Sequence, residues 1–415
     1  MRVPGPRGLP FVGAILDFED DPLGWMVRTR EKYGDVVRLD SSMVVVHDPA
    51  IAHEVLRTTN DEYMLDNRLE ASKRGQQELL DGLPSWMDAR RYLARGVSRP
   101  ILASHLPRLQ RYLGSAVQDA AGHHEDLFDV TQRLLGAATA DYCLGGGDED
   151  LGEVTKAVEE MFWVSLQVTD SAESRIRGTA RPIATRAHQL NVELVELLTE
   201  YVVRRRAAER PSEPRDILDA LLAHPAALTD KQLANVVRLM VVTSHGPPGV
   251  ALAWTLIRLG ERPDLVDAIR AEQPGHDAVQ TLAVVKEALR MHPPVWLMGR
   301  TALRPVHVGP YKLKAGQRVL MCPYLIHRDE RFYDRPEEFR PERWLTTTPP
   351  AGDFYLPFGA GTRVCPGGRL GQLQLIVALI TILATHNLQV APVAAVRSRT
   401  STLLIPGTAG GWIRR

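Results

Sequence analysis

Phe358-Gly359-Ala360-Gly361-Thr362-Arg363-Val364-Cys365-Pro366-Gly367 decides how this 415-residue chain is read. One cysteine sits in a glycine-rich loop, with an aromatic seven residues before it and a glycine two after. Glycines let the backbone curl around a sulfur and aim N–H groups at it. Such donors tune a metal–thiolate bond, and Phe358 can pack beside the sulfur and keep water out. The apolar run from Leu370 to Ala384 predicts a helix whose N-terminus favours an anionic ligand in the loop. A bare cysteine would more often be a core filler. The whole frame points instead to a thiolate suited to haem iron.

Composition sets wide bounds. Hydrophobic residues make up 44% and charged residues 24%, an ordinary globular balance. Fifty basic and fifty acidic residues cancel, so nothing in the overall charge argues for nucleic acid as a partner. Three cysteines are too few for a disulfide framework and suit a reducing compartment. The first residues hold no apolar run long enough to span a bilayer and no signal-peptide pattern. A cytoplasmic protein without a membrane anchor is the expectation.

Helical periodicity dominates from about 50 to 300 and again after 370. Pro4 to Gly13 reads as extended. Asp35–Asp40 and Met43–His47 read as two short strands. A second hairpin is expected from Val306–Val308, turning at Gly309-Pro310 and resuming from Tyr311 to Met321. Leu228-Thr229-Asp230-Lys231-Gln232-Leu233 makes a capping box, with Thr229 as N-cap and Gln232 three residues later. A helix from there to Gly260 would span about 46 Å. No linker divides the chain, so residues 1–415 are expected to form a single domain.

The ten-residue frame resembles the haem-binding signature of the cytochrome P-450 family, Phe-x-x-Gly-x-Arg-x-Cys-x-Gly, and agrees at every specified position. The resemblance implies a mainly α fold with small β-sheets. It also implies haem b ligated by Cys365, with Phe358, Gly359, Arg363 and Gly367 shaping the loop. Glu287-Ala288-Leu289-Arg290 resembles the family's Glu-x-x-Arg, a structural network closed by a meander arginine, here Arg340 or Arg343. Trp86 and Arg90, as Trp-x-x-x-Arg, together with Arg300 and Arg363, are implied contacts for the two propionates. Arginine suits carboxylates by its bidentate geometry. His327-Arg328-Asp329 leads into the meander and reads as structural.

One segment departs from the family. The central helix reads Thr243-Ser244-His245-Gly246-Pro247-Pro248 where typical members carry Ala-Gly-x-Asp/Glu-Thr-Thr over the haem. The acid falls on Gly246 and the alcohols on Pro247 and Pro248. In the family that acid–alcohol pair relays protons during oxygen activation, a positioned relay. Two mid-helix prolines remove two amide donors at about 3 kcal/mol each, so the helix should kink or open.

Three functions compete. In the first, the chain is a natural-product tailoring monooxygenase or oxidase on a small, largely apolar substrate. The substrate then organises the protons, helped by Thr243, Ser244, His245 or the carbonyls freed by Pro247 and Pro248. Electrons come from a separate ferredoxin with its reductase, or a flavodoxin-like donor. In the second, the enzyme uses peroxide or runs a redox-neutral reaction. In the third, it binds haem without catalysis and serves in recruitment. Substrate-facing segments are expected near 62–85, 165–180, Met240, Thr243, Val295–Met298 and Ser401–Leu404.

Overall fold

The computed structural model describes residues 2–8, 14–65, 86–120, 126–147, 150–167, 180–223, 228–275, 277–346, 354–407 and 412–414. The chain divides into two compact units: Met1–Gln76, Asp170–Gly178 and Leu289–Cys365 form one, and Gln77–Thr169, Thr179–Ala288 and Pro366–Arg415 the other.

The first unit is built on a five-stranded sheet. Its strands are β1 (Val36–Arg38), β2 (Met43–Val46), β3 (Tyr63–Leu65), β4 (Met298–Ala302) and, after the hairpin β5 (Val306–Val308) and β6 (Tyr311–Leu313), β7 (Arg318–Met321). The order is β1-β2-β7-β4-β3. β2 and β7 run parallel, with Val44 opposite Val319. The other neighbours are antiparallel. β-Branched residues supply the buried face. Val44, Val46, Val319 and Met321 pack with Val55, Leu56 and Ile326 in one core cluster. The single strand expected from Tyr311 to Met321 is cut in two. Gly316 adopts φ +81° and turns the chain between β6 and β7, a conformation that favours glycine.

The second unit is mainly helical. The Leu127–Leu144 helix is buried along nearly its whole length. The Gly368–Thr385 helix fulfils the expected run after the cysteine loop. It is long and apolar enough to cross a membrane, yet 61% of it is buried inside the unit. There Gln374 Nε2 donates to Thr139 Oγ1 at 3.1 Å. Short pairs join β8 (Asn387–Gln389) to β11 (Trp412–Arg414) and β9 (Ser398–Thr400) to β10 (Leu404–Pro406).

The central helix starts at the expected capping box. Gln232 N–H donates to Thr229 Oγ1 and Thr229 N–H to Gln232 Oε1. It does not run on to residue 260. It ends at Thr243, and a second helix, Pro247–Leu259, begins after Ser244–Gly246. The break has a covalent cause: Pro247 and Pro248 have no N–H for the carbonyls of Thr243 and Ser244. Restarting the helix puts both prolines in its first turn, where amides have no intrahelical partner anyway. Most of the mid-helix penalty is thereby avoided.

Four buried histidines are expected to lower this protein's stability in acid. Burial holds His47, His105 and His245 neutral down to about pH 4, and His327 to about 3. In the unfolded chain each titrates near 6.5. The unfolded state therefore binds more protons as pH falls below that value. The stability is fully present above pH 6.5 and is lost progressively toward pH 4, by about 3 kcal/mol per histidine. We expect the urea midpoint, followed by far-UV circular dichroism, to drop steeply between pH 6.5 and 4.5. A flat profile across that window would contradict the assignment.

Candidate active site

Cys365 is the one cysteine exposed to solvent; Cys143 and Cys322 are buried. Burial pushes the Cys143 thiol well up and that of Cys322 up to about 12. Thiolate chemistry therefore falls to Cys365. Its N–H donates to Phe358 O at 2.8 Å, closing the loop. Gly359 and Gly361 take φ +70° and +68°. A Cβ on Gly361 would overlap the Leu56 carbonyl oxygen and lie 2.7 Å from Arg57 Cα. No L side chain fits there without backbone movement. Phe358 is half-buried, and Gly367 lies at the start of the Gly368–Thr385 helix.

The loop is tied to the turn that follows the Pro49–Arg57 helix. Thr362 Oγ1 donates to Thr59 O at 2.8 Å. Asn60 Nδ2 donates to Thr362 Oγ1 at 3.1 Å, and Arg363 Nε donates to Asn60 Oδ1 at 2.9 Å. Arg300, on β4, is 6% exposed; its Nε donates to Thr59 Oγ1 at 2.9 Å. Arg300 and Arg363 are thus anchored on adjacent residues of one turn. That turn escapes a reading of the sequence. Thr58-Thr59-Asn60-Asp61 is a plain turn signal, and its partners lie about 300 residues away.

Arg290 is fully buried. Its Nη1 donates to the carbonyls of His327 (2.9 Å) and Pro336 (2.8 Å), and its Nη2 to that of Glu338 (3.2 Å). Glu287, on the same Val279–Met291 helix, is also fully buried. Arg343 donates to the carbonyls of Asp334 and Arg335, and Arg340 to the Asp334 carboxylate. His327 links the meander to the segment before the loop: its Nε2 accepts from Leu356 N–H at 2.8 Å. Its Nδ1 is therefore the N–H that donates to Arg290 O at 3.1 Å. The triplet at 327–329 is structural, as its sequence suggests.

Of the remaining haem-facing expectations, Arg90 is half-buried on the Trp86–Gly96 helix. The Trp86 side chain lies outside the described residues, as do 66–85 and 168–179 of the expected substrate segments.

In the second unit, the break orders its side chains by burial. Thr243 is exposed, and its Oγ1 donates to Leu239 O at 2.6 Å. Ser244 is half-buried, with Oγ 3.9 Å from Met240 Sδ. Met240 itself is buried. His245 is 3% exposed, its ring edge-to-face on Phe162 with centroids 5.6 Å apart. It also presses on Gly136, where a methyl would overlap the imidazole. The structure thus puts His245 in the helix core, whereas Thr243 reaches solvent. At Gly246 a Cβ would overlap Phe162 Cε2 and lie 2.9 Å from Leu403 Cδ1. The space a side chain at 246 would need is filled by an aromatic ring. Gly249 lies against the Gln132 backbone, and its carbonyl accepts from Thr131 Oγ1 at 2.9 Å. Leu404, from the last expected substrate segment, is buried and accepts from Trp254 Nε1.

An outward cysteine in a glycine-bent loop, arginines braced beside it and a helical unit with a broken long helix define a haem-thiolate protein. The profile of the cytochrome P-450 family matches residues 3–409, and the chain belongs to that family. Among its relatives is "Putative cytochrome P-450 137" of Mycobacterium tuberculosis, 26% identical over 86% of this chain and 78% of that protein. Another is "Cyclooctatin synthase" of Streptomyces melanosporofaciens, 25% identical over 97% and 93%. Two solved structures share the fold. The cytochrome P-450DA haem domain gives a TM-score of 0.80 at 20% identity, covering 100% of this chain and 97% of that one. Retinoic acid-bound cyanobacterial CYP120A1 gives 0.80 at 19%, covering 99% and 98%. The fold is mainly α with small sheets, and the chain is an oxidoreductase of the monooxygenase family. Its cofactor is haem b. The residues fit that group: an exposed cysteine donor, glycines at positive φ around it, and guanidinium groups for its carboxylates.

Proposed function

We propose that this chain oxidises a small, largely apolar molecule, in the manner of a natural-product tailoring monooxygenase, with the substrate itself organising proton delivery. Residues 1–415 act as one haem-thiolate domain. Cys365 would hold the haem iron through its thiolate, and Arg300, Arg363 and Arg90, with Trp86, would hold its carboxylates. Bound haem supplies the redox iron and, with its thiolate, the capacity to activate oxygen. The broken segment contributes what the protein can offer a proton: the Thr243 and Ser244 hydroxyls and the two carbonyls left without amide donors. His245 contributes little, since its ring is buried against Phe162 and burial keeps it neutral.

One observation carries the reading. At the position of the family's acid stands Gly246, and Phe162 occupies the space a side chain would need. No carboxylate can act from there, so a polar group of the substrate, with the water it orders, takes the role. The likeness to a cyclooctatin synthase supports a natural-product substrate. Electrons come from a separate ferredoxin or flavodoxin-like donor, and the protein works in the cytoplasm.

The test compares two oxidant systems over a substrate panel: redox partners with NAD(P)H and dioxygen, and hydrogen peroxide alone. Product from the first supports the reading. Product from peroxide only would establish a peroxide-using enzyme instead. No product from either would favour a non-catalytic haem protein.

A further inference from the structure

We propose that Arg238 anchors a buried anion site between the Asp230–Thr243 and Ala180–Ala207 helices, suited to the carboxylate of an apolar organic acid. This deepens the reading above, on which it rests, by giving the oxidised molecule an acidic end.

Arg238 is 5% exposed, and among the described residues it meets no carboxylate. Nη1 donates to Asn191 Oδ1 at 2.9 Å and Nε to Asn235 Oδ1 at 3.4 Å, both neutral amides. Nη2 is buried without an acceptor. Asn235 is set by its own Nδ2, which donates to Lys231 O at 3.0 Å and leaves Oδ1 for the arginine. The guanidinium is thus held on two of its nitrogens and open on the third. Arg205 makes the contrast. It is also 5% exposed, but it lies between Asp216 and Asp219, at 2.8 and 2.9 Å. Burial pushes Arg238 down to about 10, which leaves it charged at neutral pH. Buried charges are as a rule paired. The unmatched one here calls for an anion from outside the chain.

The surroundings select the kind of anion. Val237 and Leu239 flank Arg238 on its own helix, and Leu190 and Leu194 lie beside Asn191 on the facing one; all four are buried. A small hydrated ion would give up its water there for one guanidinium. An acid with an apolar body offsets that loss by burying hydrocarbon. The guanidinium also matches a carboxylate in shape. Arg238 precedes Thr243, the end of its helix, by about 7.5 Å along the axis. The carboxylate is therefore an anchor set back from the break, distinct from the polar group that organises protons there.

The test is isothermal titration calorimetry of the haem-loaded full chain, without oxidant, against octanoate, decanoate and dodecanoate, their methyl esters, acetate and chloride. We expect saturable binding of at least one of the three acids, with its ester about tenfold weaker or worse. Acetate and chloride should give no saturable heat. Arg238→Met keeps bulk and removes the charge. It should bind the acid at least about tenfold more weakly and be no less stable to urea than wild type, because an unmatched buried charge has gone. Arg238→Lys keeps the charge and should bind the acid more tightly than Arg238→Met. No binding of any acid, equal binding of acid and ester, or undiminished binding by Arg238→Met would overturn the site. An Arg238→Met protein less stable than wild type would mark a structural arginine and overturn it too. Saturable heat from acetate or chloride that Arg238→Met abolishes would overturn the organic acid as the occupant. Acid binding that depends on Arg238, with no product from either oxidant system, would uphold the site and overturn the oxidation alone.

Discussion

Gly246→Glu is expected to damage the protein rather than restore a proton relay. A Cβ at 246 overlaps the Phe162 ring and presses on Leu403, and both neighbours are buried. Overpacking of this kind costs about 1–3 kcal/mol. A carboxylate driven into apolar surroundings adds a desolvation penalty or stays protonated. We expect a total loss of about 3–5 kcal/mol, read as a fall in the urea midpoint, and no gain in coupling of product to NAD(P)H. Gly246→Glu/Phe162→Ala makes room for the side chain and should recover part of the lost stability. A Gly246→Glu protein as stable as wild type would show that the ring yields easily. A large gain in coupling would show that the acid, not the substrate, was the missing proton organiser.

Arg290→Ala is expected to prevent haem-loaded protein from accumulating. Three carbonyls lose their donor at once, two of them in buried surroundings. Each orphaned carbonyl costs about 1–3 kcal/mol, and removing one member of a buried charged network costs about 3–5 kcal/mol. That is a large part of an ordinary domain's 5–15 kcal/mol. The damage reaches the cysteine loop through His327, which bonds Arg290 O on one side and Leu356 N–H on the other. Arg290→Lys keeps the charge but not the planar fork, so it should recover little. Holoprotein yield and the Soret band check this. Near-wild-type yield of Arg290→Ala would refute the role.

Local frames in the sequence were readable because their parts lie within one or two turns of each other. Cys365 with its glycines, Glu287 with Arg290, and Thr229 with Gln232 all belong to this class. So does the opening of the central helix, since proline's missing N–H is a covalent fact. What lay hidden depends on distant partners. Asn60 meets Thr362 and Arg363 across some 300 residues. Phe162 fills the space at Gly246 from another helix. Strand β3 carries no local signal of its own, because its partner, β4, lies far along the chain. The over-long strand from Tyr311 to Met321 was a local failure: Gly316 was a signal, and β-propensity on both sides of it outweighed the turn.

The account's central claim is that protons for oxygen activation are organised by the substrate. Its most direct measurement is the coupling of product to NAD(P)H consumed, for the first turned-over substrate and for its analogue lacking the polar group nearest the oxidised carbon. The account predicts that coupling collapses with the analogue, although the analogue still binds and shifts the Soret band. Equal coupling for the two molecules would contradict it.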